Sequence, residues 1–90
     1  MKEKYSGQEA DRANLIRTSG RKIGSLDKPG IVHDFFVLDG KVYSLIQKGM
    51  DMKVREDGDY FEFCQALRKG QVEGFIPRND FHLANAKEKT

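Results

Sequence analysis

The side chains that could do chemistry in this chain are two histidines, one cysteine and fourteen carboxylates. A metal site needs ligands at short, regular spacing, and His33, His82 and Cys64 offer none. A nucleophilic cysteine needs a neighbouring base or positive cluster to hold its thiolate, and Cys64 in "EFCQA" has neither. It reads instead as a small buried hydrophobe. Glu56, Asp57 and Asp59 read most simply as a solvated turn. No glycine-rich phosphate loop is present, and no Ser/His/Asp set can be placed. The expectation is a protein that is not an enzyme, with no catalytic residue, no metal and no cofactor.

Binding chemistry is the alternative, and two stretches could supply it. The first is "EGFIPRNDF", Glu73 to Phe81. Gly74 permits close backbone approach, Phe75 and Ile76 call for burial, Pro77 stops a strand, and Arg78-Asn79-Asp80 reads as a turn. The second is the basic set Arg12, Arg17, Arg21, Lys22 and Lys28, which could contact phosphates. Acidic residues are mixed into the same arm, and the whole chain carries only +2. That balance argues against a strong phosphate-binding footprint.

The elements that must position these residues fit one small domain of 90 residues. Apolar content is 38% and charge 33%, enough for one compact core. A single cysteine excludes an internal disulfide. No apolar run approaches a membrane span and no signal-peptide pattern opens the chain, so a cytoplasmic protein without membrane contact is expected. Residues 1–30 form a polar, basic extension with seven basic and four acidic side chains. Ser6 and Glu9 there fit a capping box, so a short helix can start at that point. Its apolar stripe is thin, and such a helix needs a partner. Eight of the nine aromatics fall in residues 31–81. Residues 84–90 read as a frayed tail.

Within 31–81 the turn signals are frequent. "IVHDFFVL" and "KVYSLIQ" are strand-like runs joined by Asp39-Gly40, a strong hairpin signal. Lys48-Gly49 breaks the second run, "MDMKV" alternates at strand spacing, Asp57-Gly58 makes another turn, and "VEGFI" is a last strand. "DYFEFCQALRKG" fits two patterns. Tyr60, Phe63, Cys64 and Leu67 have helical spacing with Gly70 as a stop, whereas Phe61 and Phe63 alternate with Glu62. These patterns taken alone favour a helix.

Residues 32–83 resemble a Src-homology-3 domain. "VHDFF" is similar to that family's opening A-L-Y-D-Y stretch, with Asp34 and Phe35 matched, and "YSLIQKGMD" is similar to its L-S-F-x-K-G-D turn. "MKVREDGDYF" stands where the family carries two tryptophans, with Tyr60 and Phe61 in their place, and "GFIPRNDF" is similar to its closing G-Y-I-P-S-N-Y-V. The resemblance implies an all-β fold, a small barrel of five to six short strands spanning residues 31–83. It also reverses the helical reading: "DYFEFCQ" becomes a strand paired with "VEGFI", and a helix across residues 59–69 would count against the assignment. "NLIR" and "KIGSLDKPG" are similar to the opening of bacterial cousins of this barrel, which would draw residues 14–30 into the sheet.

In the family, such residues form a shallow aromatic surface that takes proline-rich peptides. Carried over, the surface is Phe35, Tyr60, Pro77 and Asn79, with His33 at its edge. Asp80 and His33 replace family tyrosines, so the surface is atypical for proline-rich ligands. The leading expectation is therefore a non-enzymatic protein-interaction module for a peptide or protein partner, with no small-molecule substrate. The alternative is a small nucleic-acid-associated barrel that uses the basic extension. His33 and Asp34 also fit plain strand positions facing solvent, and Pro77 fits a simple strand end. The expected core includes Val37, Val54, Phe63, Phe75 and Ile76.

Overall fold

The computed structural model describes residues 2–81, with side chains described from Glu9 onward. Helix α1 (Lys2–Ser19) leads into strands β1 (Arg21–Lys28), β2 (Ile31–Leu38), β3 (Lys41–Lys48) and β4 (Asp51–Asp59). Helix α2 (Tyr60–Arg68) and a three-residue strand β5 (Phe75–Pro77) follow. The strands form one antiparallel sheet in the order β4-β3-β2-β1-β5. That order is linear, with β4 and β5 as its two edges, and no ladder joins them among the described residues. The expected sheet-rich domain is present. Residues 82 and 83 of the expected barrel and the tail at 84–90 lie outside the described residues.

The meander follows from turn chemistry. Asp39 and Gly40 both take positive φ (55° and 77°), which matches the twist of the flanking strands and fixes the β2–β3 hairpin. Of residues 14–30, which the likeness to bacterial cousins would draw into the sheet, 21–28 do lie in it, paired with β2 on one side and β5 on the other, while 14–19 belong to α1. Gly24 makes the second pairing feasible. A Cβ there would lie 2.6 Å from the Ile76 carbonyl oxygen and collide with the Phe75 ring. Asp57-Gly58 is not a turn. It lies inside β4, where Val42 pairs with Gly58 and Tyr43 with Glu56, leaving Asp57 as the extra residue of a bulge.

The sheet carries a separate core on each face because alternate side chains point opposite ways. Phe35 and Phe36 are neighbours in sequence and head different clusters. On one face Ile23, Phe35, Val42, Phe63, Cys64 and Phe81 pack together. On the other, Ala13 and Ile16 of α1 meet Phe36, Leu45 and Val54. Phe75 is half-buried, yet its ring lies 5.4 Å from Phe35 and 6.1 Å from Phe81, so it belongs to the first core. Ile76 does not belong to the core: it is 50% exposed because β5 is an edge strand and this position faces out. Val54 and Phe63 are buried as expected, and Val37 is only half-buried.

Residues 60–68 are helical, which corrects the strand expected from the family resemblance. The local sequence explains it. The Asp59 side chain accepts hydrogen bonds from the backbone N–H of Phe61 and Glu62 (3.0 and 3.3 Å), capping the first turn. Tyr60, Phe63, Cys64 and Leu67 form one stripe against the sheet. Gly70 ends the helix at φ 72°, with its N–H on the Leu67 carbonyl (3.1 Å). Of the expected strand "VEGFI" only Phe75 and Ile76 are extended, in the three-residue β5. Helix α1 also departs from expectation. It begins at Lys2, so Ser6 and Glu9 do not mark its start. Glu9 instead reaches across to the edge strand, where its Oε1 accepts the Val54 N–H at 3.1 Å.

Candidate functional site

The expected aromatic surface does not assemble. Phe35 is 2% exposed and at the centre of the first core. His33 is 5% exposed, with its ring 4.6 Å from that of Phe35, and neither ring can face a partner in this conformation. The solvent-facing reading of His33 fails for the same reason: its strand position falls on the face that α2 and the Phe75 ring close over. Tyr60 is half-buried on the first turn of α2. Burial pushes its hydroxyl pKa up, helped by a hydrogen-bonded Cys64, against an opposing effect of Arg21. Pro77 and Asn79 are exposed and close in sequence, at the end of β5 and in the turn after it. Cys64 is buried, as expected, and burial raises its thiol pKa.

The basic residues fare differently. Helix α1 ends where the Gly20 N–H bonds back to the Ile16 carbonyl (2.8 Å), and β1 starts at the next residue. Arg17 in the last helical turn, Arg21 and Lys22 therefore surround one corner. The chain beyond β5 returns to it, because the Arg78 N–H bonds the Ile23 carbonyl at 3.0 Å. Together Arg17, Arg21, Lys22, Arg78 and Asp80 line a cleft of about 410 Å³ over Phe36. Asp80 is the one carboxylate lining it, 3.4 Å from the Arg78 Nε. Lys22 is also tethered from outside the cleft, with its Nζ 3.3 Å from Asp34. Arg21 makes no ion pair among the described residues. Of the five expected phosphate contacts, three meet here. Arg12 lies elsewhere on α1, its guanidinium 6.0 Å from the centre of the Tyr43 ring, and Lys28 is at the far end of β1.

Sequence reasoning missed two things. Arg78 was read only as part of a turn, because nothing local ties it to Lys22. A buried polar group was missed altogether. The His33 Nε2 lies 2.8 Å from the Ser44 Oγ, Ser44 bonds Asp57, and Asp57 holds the Arg55 Nε at 2.7 Å. A terminal nitrogen of Arg55 also reaches Ser44 at 3.4 Å. Arg55 and Asp57 are two residues apart in β4, so their side chains share a face. The sole signal was a serine and a histidine inside otherwise apolar strands.

Counting protons fixes the roles within this group. Ser44 has one proton and gives it to Asp57, so its oxygen accepts from both His33 and Arg55. His33 then donates from its Nε2. Burial and the nearby Arg55 lower its pKa below the ordinary value of 6.5, with Asp57 opposing. Ser44 is wholly buried, so a substrate does not reach its hydroxyl in this conformation. The group is a structural brace for Arg55. Among the described residues no three potential metal ligands cluster, and no helix is long and apolar enough to cross a membrane.

Compared with family models, curated proteins and solved structures, the chain matches none.

Proposed function

We propose that this chain is a non-enzymatic nucleic-acid-binding module that grips the phosphate backbone in the cleft between α1, β1 and the turn after β5. One observation carries the reading: Arg17, Arg21, Lys22 and Arg78 come from three separate segments and converge over one carboxylate. Local charge, not the near-neutral total, governs what binds a corner of a small domain. Arginine supplies planar, paired donors that suit phosphate oxygens, and three of the four cations are arginines. A patch of this size predicts binding without strong sequence preference, at about 10⁻⁴–10⁻⁶ M in physiological salt.

The test is fluorescence anisotropy of a labelled mixed-sequence DNA duplex, with a single strand as a second probe, over a salt series. Four phosphate contacts predict a slope of log affinity against log salt of roughly −3.6 on duplex. Arg21→Glu and Arg78→Glu should each weaken binding and flatten that slope by about 1 or more. A slope near zero, or unchanged binding in both folded variants, overturns the reading.

A second reading has its own observation. Ile76 is 50% exposed beside the exposed Pro77, an apolar step on the β5 edge that suits a protein partner. Under that reading the duplex fails to bind at low salt, and Pro77→Ala abolishes capture of the partner while Arg21→Glu does not.

A further inference from the structure

We propose a second phosphate-binding site, built around the Arg55 guanidinium on the opposite face of the sheet, which makes the chain bivalent for nucleic acid. This rests on the reading above. Helix α2 and the segment after it cover the part of their face around Phe35 and Val42 and stop short of the β3–β4 turn. A cleft of about 400 Å³ opens in the uncovered part, lined by Ile46, Lys48, Asp51, Lys53 and Arg55. Lys48 and Lys53 make no ion pair among the described residues.

Arg55 is not an ordinary surface arginine. Its Nε is fixed by Asp57, and one terminal nitrogen is fixed by Ser44, which is itself held by His33 in the aromatic core. Two of its five N–H donors are engaged, and the rest remain on a head group whose orientation is already set. Ordering a free arginine costs rotamer entropy on binding, and here folding has already met that cost. The local charge also indicates the ligand. Three cations stand against Asp51 in the cleft and Asp57 behind Arg55, a balance of +1 (3 − 2), which matches the single charge of a phosphodiester.

The two clefts are far apart in the fold. The first surrounds the start of β1 and includes Phe36, whose ring belongs to the α1 face. The second lies beside the β3–β4 turn, on the face of Ser44 and His33. They occupy opposite faces and opposite ends of the strands. A stiff duplex seated in one does not reach the other, so one molecule of the chain joins two duplexes.

The experiment mixes two mixed-sequence duplexes, one with a donor dye and one with an acceptor, and adds the full chain. Energy transfer between duplexes is expected with the parent. The exposed double variant Lys48→Glu/Lys53→Glu should abolish transfer yet still bind one duplex, with a salt slope lower by about 2 where both sites are filled. Arg55→Lys keeps the charge but loses the braced fork, and should reduce transfer without unfolding the chain. Binding of a single duplex with no transfer in the parent overturns bivalency and leaves the first reading standing. Retention of neither duplex overturns both. Transfer that survives in the double variant, or a parent that sediments as a dimer without DNA, overturns the site. Poly-glutamate that removes transfer as effectively as unlabelled DNA assigns the cleft to acidic protein and overturns the nucleic-acid proposal.

Discussion

The two helices dock on opposite faces of the same sheet and do so very differently. Helix α2 has nine residues, a side-chain cap at one end, a glycine stop at the other, and four residues in one stripe on the core. Helix α1 has eighteen residues and buries only Ala13 and Ile16 among its described side chains, while Leu15 is 58% exposed. Glu9, Ala13 and Ile16 recur every three or four residues, so they share one side and form a narrow seam. Length is therefore a poor guide to anchorage here. The short helix completes an aromatic core with Phe35 and Phe75. Among the described side chains, the long one is held by Ala13 and Ile16, by the Glu9 bond to an edge strand and by Arg12 over the Tyr43 ring, and its last turn brings Arg17 to the basic cleft. Strong local encoding goes with structure, and weak anchorage goes with the binding corner.

That contrast can be tested most severely at Phe63 and Ile16. Phe63→Ala removes a ring that packs 5.1 Å from Phe35, and should cost about 3–5 kcal/mol. In a domain holding roughly 5–15 kcal/mol, this approaches global unfolding. Ile16→Ala should cost about 2 kcal/mol, at the low end for such changes, because a thinly held helix can settle into the space. Denaturant melts followed by far-ultraviolet dichroism give both values. Equal losses in the two variants would erase the distinction between the faces.

The polar anchors come next. Asp59→Ala removes the α2 cap and should cost about 1 kcal/mol. Glu9→Ala removes the bond between α1 and the Val54 N–H, at a similar cost of about 1 kcal/mol. The two losses differ in place. Hydrogen exchange should quicken at Phe61 and Glu62 in the first variant and at Val54 in the second. Exchange that quickens over both faces together would mean that the cores are one cooperative unit.

The smallest effect is expected from pH, since it rests on one group. The His33 pKa is lowered on folding, so the unfolded chain takes the proton first as pH falls. Stability should be constant above the unfolded value near 6.5, decline as pH drops from there through the folded pKa, and level off with respect to this group below it. The loss should be concentrated on the α2 face, and His33→Gln should remove it. A melt that gains stability between pH 7 and 6 would reverse the sign and place His33 as a cation in the folded chain.

Much of the architecture was legible along the chain. "IVHDFFVL" and "KVYSLIQ" are strands with the expected bounds, give or take one residue, and Asp39-Gly40 closes their hairpin. The helix at 60–68 was legible too, from its spacing and its glycine stop. The family resemblance argued against it, and the local pattern prevailed because a capped stripe satisfies its own backbone bonds. The strand reading of the same residues would have needed a long partner after Gly70, and only three residues there are extended. The site was less legible. Arg17, Arg21 and Lys22 were named from charge alone, but Phe35 and His33 were assigned to a surface that the fold closes.

Sequence by itself determined the elements, because turns, caps and stripes act over two to four residues. A positive φ at Asp39, the carboxylate of Asp59 and the spacing of Tyr60, Phe63, Cys64 and Leu67 need nothing distant to take effect. Tertiary structure alone decided which face of each strand is covered. Alternation puts Phe35 and Phe36 on opposite sides, but it does not say that α2 will close over one and α1 over the other. It also decided that the Asp57 carboxylate meets Ser44, since only the pairing of β4 with β3 brings the two strands side by side. The meeting of Arg17, Arg21 and Arg78 is the longest-range case. It depends on a backbone bond from Arg78 to Ile23, between segments more than fifty residues apart, and only a folded sheet can close a loop of that length.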